Sequence, residues 1–112
     1  MSGIDVNAVA GQAANKIVEI LTGAGKDVAG YAAAEGKKLA TSAAEIAKLR
    51  AEGQIDDEEA RLHFDIQLHA SRDVLMAISG VSIIAAEQAI NAAGQIILGA
   101  VKNATGLSLI AN

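Results

Sequence analysis

The residues with the most chemical potential are two histidines and the acids around them. His63 and His69 are the only imidazoles in the chain. Glu59 lies four residues before His63, and Asp65 and Asp73 lie four before and four after His69. On a helix such spacings share one face, so Asp65, His69 and Asp73 form a carboxylate–imidazole–carboxylate stripe. A stripe of that kind has the donor types for a divalent metal. The simpler reading is a solvated face with helix-stabilising pairs, Arg61 to Asp65 and Asp65 to His69. Buried di-iron sites need Glu-x-x-His on facing helices. Here Ala60 and Ile66 stand three before the two histidines, and HExxH is also absent. No metal or cofactor is therefore expected.

Other chemical patterns are incomplete. Gly23-Ala24-Gly25-Lys26 looks like part of a phosphate loop. The full motif needs a glycine five before Gly25 and Ser or Thr after the lysine. Those positions hold Ile20 and Asp27. Cysteine is absent, and no serine or threonine is patterned with a histidine base, so nucleophilic catalysis has no constellation. The chain reads as non-enzymatic. Glu87 is the sole charge between Val74 and Val101. In lipid a lone carboxylate marks a functional site. In a water-soluble bundle it is an exposed group, or one paired with a lysine of the first half of the chain.

The elements that must position these residues are helices. The 112-residue chain has no Pro, is 52% hydrophobic with much of that alanine, and carries a net charge of −4. One all-α domain is the expectation. No basic patch is present, so nucleic acid is not an expected partner. Met1-Ser2-Gly3-Ile4-Asp5 lacks a basic region before an apolar core, so no Sec signal is expected. A cytoplasmic or virion-associated setting is favoured, with membrane association as the alternative.

Glu52-Gly53-Gln54-Ile55-Asp56-Asp57-Glu58-Glu59 is the clearest turn. Gly53 suits a left-handed helix stop. Asp56 suits the next N-cap, Glu59 closes a capping box, and Ile55 serves as a staple on Ala60. The expected fold is a long antiparallel two-helix hairpin, with arm 1 over 5–52, arm 2 over 57–104 and an apolar tail over 105–112. Asp5 or Asn7 would cap the first arm. Its stripe is Val9, Ala13, Ile17, Leu21, Ala24, Val28, Tyr31, Ala32, Leu39, Ala43, Ile46 and Leu49. Gly23 to Gly25 is the weak point, where a kink or break competes with a continuous helix. Ser79, Gly80 and Ser82 read as a small-residue patch for close helix contact.

Arms of this length would each be about 70 Å long at 1.5 Å per residue. Between Val74 and Val101 apolar residues occupy every face of the helix, more than one partner helix can cover. The expectation is therefore homo-oligomerisation through Leu75, Ile78, Val81, Ile84, Ile90, Ile97 and Val101. A structural or assembly protein follows, with itself as main partner and other assembly proteins or a membrane as further ones. In whole-chain composition it resembles phage-encoded or secreted helical assembly proteins. Its turn, Glu52-Gly53-Gln54-Ile55, lacks the Trp-x-Gly of the secreted WXG-type hairpins. The alternative reading is a membrane-inserting protein using 74–101, a stretch longer than the roughly 20 residues that span a bilayer.

Overall fold

The computed structural model describes residues 5–21 and 28–105, without the side chains of Ile78, Ser79 and Thr105. It contains four helices: α1 (Val6–Ile20), α2 (Val28–Ala51), α3 (Asp57–Ser79) and α4 (Ile83–Thr105). The chain is all-helical over the described residues, but the two long arms are not there. The body measures 42 × 25 × 20 Å, well short of a 70 Å rod.

Local chemistry sets most of the boundaries. Asp5 caps α1, its carboxylate accepting from the Ala8 N–H at 3.1 Å. At the 52–56 turn, Gly53 has φ +76°, and the N–H groups of Gly53 and Gln54 donate to the carbonyls of Arg50 and Leu49. Those two bonds satisfy carbonyls that the end of α2 leaves open. Asp56 then accepts from the Glu59 N–H at 2.8 Å, while the Glu59 carboxylate accepts from the Asp56 N–H at 3.0 Å. Three acids in the first turn of α3 face its positive dipole end. An Arg50–Asp57 ion pair straps the turn from outside.

The second arm is cut where the small-residue patch was read. Gly80 takes a left-handed conformation, φ +67°, and its N–H donates to the Met76 carbonyl at 3.2 Å. Ser82 then caps α4, its hydroxyl accepting from the Ala85 N–H at 3.1 Å. The sequence Gly-Val-Ser is thus a helix stop followed by a start. The first arm is also two helices, ending at Ile20 and resuming at Val28. Gly23 to Gly25 lie outside the described residues, as do residues 106–112 of the tail.

Helices α3 and α4 run antiparallel. Leu68 of α3 faces Gly94 of α4, and Arg72 faces Glu87, so sequence positions run in opposite directions along the pair. α1 packs on α2 and α4, and α2 also touches both α3 and α4. The core is built from spaced alanines and aliphatics. Val9, Ala13, Ile17 and Leu21 come from α1, Val28, Ala32, Leu39, Ala43 and Ile46 from α2, and Ala60, Phe64 and Leu75 from α3. Ala86, Ala89, Ile90, Ala93, Ile97, Leu98 and Val101 come from α4. Tyr31 is only partly buried.

Small residues let the backbones meet. A Cβ on Gly36 would stand 2.9 Å from the Ala10 carbonyl oxygen and 3.2 Å from the Ala14 nitrogen. Gly99, also inside a helix, has nothing within 4 Å of the same position. Opposite outcomes are expected from the same substitution in thermal or urea unfolding. Gly99→Ala stabilises by roughly 0.5–1 kcal/mol through helix propensity. Gly36→Ala destabilises, because overpacking against backbone costs about 1–3 kcal/mol and exceeds that gain.

Candidate functional site

α3 is the helix with most of its surface left over. Its inward stripe is Ala60, Phe64, Ser71 and Leu75, all buried. Spacings of four, seven and four place them on one narrow face. The opposite face carries Leu62 and Ile66, 60% and 55% exposed, with exposed Ala70, Asp73 and Ala77 further along. Large apolar side chains at i and i+4 form a ridge here, rather than scattered singles.

Grooves run on both flanks of that ridge. On the α2 side a shallow groove of about 530 Å³ is lined by Ala34, Lys37, Lys38, Thr41, Ser42 and Gln67. Nearer the turn, His63 and Gln67 face Ser42, Glu45, Ile46 and Leu49 across a smaller one. On the α4 side, a groove of about 210 Å³ gathers Asp65, Leu68, His69, Arg72, Glu87, Ile90 and Asn91.

The polar partners are short-range. Arg72 donates from Nη1 to Glu87 at 3.2 Å and from Nη2 to Asp73 at 3.1 Å. Among the described residues Glu87 is therefore paired with an arginine of α3, not with a lysine of the first half. Asp73 is drawn to Arg72, away from a shared site with Asp65 and His69. Among the described residues no three His, Asp or Glu side chains converge as metal ligands. The Gly23-Ala24-Gly25-Lys26 pattern lies outside the described residues. Glu35 is turned into the bundle, 3% exposed, where its carboxylate accepts from Lys38 Nζ at 3.0 Å. The chemical capacity of the α3/α4 groove is that of an ion-pair clamp between two helices.

The residues expected at an oligomer interface are divided by the fold. Leu75, Ile90, Ile97 and Val101 are buried in the chain's own core, so in this fold no other chain reaches them. Folding back at Gly80 supplies this cover from within the chain. Val81 is partly buried, and Ile84 is 66% exposed beside exposed Ile83. The side chain of Ile78 lies outside the description. Gly53, Asp56 and Glu59 stand at the turn, where they close one helix and open the next. Leu62 and Ile66 are less conspicuous in the sequence than the more apolar stretch after Val74. Their alternation with charges in Arg61-Leu62-His63 and Asp65-Ile66-Gln67 masks a helical i, i+4 pair.

The chain matches no family model, no curated protein and no solved structure.

The Arg72–Glu87 pair joins a partly exposed guanidinium to a half-exposed carboxylate, so solvent screens it. A double-mutant cycle with Arg72→Ala and Glu87→Gln, read by urea unfolding, is expected to give a coupling of at most about 1 kcal/mol. That coupling shrinks further in high salt.

Proposed function

We propose that this protein is a non-enzymatic assembly module, a compact four-helix unit that associates with copies of itself. The observation that carries this reading is the exposure of four large aliphatic side chains on a small body: Leu62 and Ile66 on α3, and Ile83 and Ile84 at the start of α4. They stand as two pairs, Leu62 and Ile66 one helical turn apart and Ile83 and Ile84 consecutive, which favours contact surfaces over isolated apolar residues. The polar groups support the same view. Asp56 and Glu59 are engaged in the capping box, Asp57 pairs with Arg50, and Arg72 pairs with Asp73 and Glu87.

A second reading has one specific support. Ile83–Ala104 is long and apolar enough to cross a membrane, and only 39% of its most apolar window is buried inside the bundle. In that reading α4 swings out of the bundle into lipid. The stretch over 74–101 is divided at Gly80, so α4 alone is the inserting unit.

Light scattering on a sizing column separates the two. The assembly reading predicts a discrete multiple of the chain mass without detergent, unchanged when mild detergent is added. A monomer at all concentrations contradicts it. Recovery only from the membrane fraction, or only in detergent, moves the assignment to insertion of α4.

A further inference from the structure

We propose that a second copy of this chain covers the outward face of α3, in a two-fold dimer where each copy's Leu62–Ile66 ridge seats in the other's α2/α3 groove. This rests on the self-association reading above and names its surface.

The two surfaces differ in the way that a ridge and its receptor should. The ridge is made of two protruding aliphatic side chains, both more than half exposed. The groove is shallow, with small side chains Ala34, Thr41 and Ser42 and the methylene stems of Lys37 and Lys38. Ridges packed into such grooves are the ordinary way helices meet.

Charge distinguishes the occupant. Glu58, Asp65 and Asp73 border the ridge against one neighbouring cation, Arg61, while Arg72 further along is drawn to Asp73 and Glu87. Across the exposed surface of α2 from Ala33 to Thr41 there is no outward acid, since Glu35 is buried and drawn to Lys38, and Lys37 is the outward cation. Ridge and groove are therefore complementary in sign as well as in shape. Stacking ridge on ridge is disfavoured. A two-fold at Ile66 would set Glu59 opposite Asp73 of the second copy, with like charges facing at both ends.

Closure follows from adjacency. Gln67 lines the groove and directly follows Ile66 of the ridge, so the two surfaces border each other on one molecule. A single two-fold axis between them makes both contacts at once, which is the isologous arrangement that ends at a dimer. An ordinary stable interface takes about 800 Å² from each partner. That is about an eighth of this chain's 6266 Å², within reach of the outer faces of α2 and α3.

The test is light scattering across a concentration series on the full chain, with far-UV circular dichroism as the fold control. The wild type is expected as a dimer, and L62E/I66E as a monomer of unchanged helicity. K37E and E58K/D65K are each expected to raise the dissociation constant about tenfold, and their combination to recover part of the loss. A monomeric wild type overturns both the dimer and the assembly reading. An associating wild type whose mass survives L62E/I66E overturns this interface alone and moves the contact elsewhere, Ile83 and Ile84 first. If L62E/I66E loses helicity, the charge variants decide. Weakening with recovery supports the interface, and unchanged association overturns it.

Discussion

At Gly36 the backbone of α2 lies so close to α1 that one methyl group would meet the Ala10 carbonyl at 2.9 Å. That approach stands for a constraint on the whole molecule. The chain has one Phe, one Tyr and no Trp, so no bulky layer separates its helices. Alanines at positions 13, 32, 40, 43, 60, 86, 89 and 93 are completely buried. An alanine hides little apolar area, so each helix must pack closely against more than one neighbour to gain enough burial. A two-helix rod cannot do this, whereas four shorter helices can. The break at Gly80 and the resumption of helix at Val28 are thus tied to the same shortage of large side chains as the tight α1/α2 contact.

The same constraint accounts for the apolar stretch after Val74. Read as one helix, it is apolar on every face and calls for lipid or a further chain. Divided at Gly80 and folded back, it places Leu75 on one wall of the core and Ile90, Ile97 and Val101 on another. α1 and α2 supply further cover for α4. Ile83 and Ile84 remain outside, and with the Leu62–Ile66 ridge they are the exposed large aliphatics among the described residues.

The sequence was most legible where a boundary is chemically local. Asp56 and Glu59 form a reciprocal cap within one turn of chain, and Gly53 closes the helix before it. Nothing distant is needed to specify that arrangement. The Gly80-Val81-Ser82 boundary carries the same kind of signal. It also suits a packing patch, because it lies in an apolar run where a glycine between serines favours close helix contact. The inward stripe of the first half was legible from its spacing of three and four residues. What spacing could not disclose was which neighbour covers which face. Leu75, Ile90 and Val101 look equally suited to their own chain or to another, and only the fold-back decides between them. Leu62 and Ile66 are hard to see in the sequence for the opposite reason, since charged neighbours lower the local hydropathy around an exposed pair.

The central claim is that the second half of the chain doubles back at Gly80. A distance between spin labels at Asp65→Cys and Gln95→Cys tests it directly. Both positions are exposed, and the native chain has no cysteine to compete for label. Diluting labelled with unlabelled protein isolates the intramolecular distance. Packed helices lie about 8–10 Å apart, so with the length of the labels the account predicts a distance below about 25 Å. A continuous helix would separate the two positions by about 45 Å at 1.5 Å per residue, and that result would contradict it.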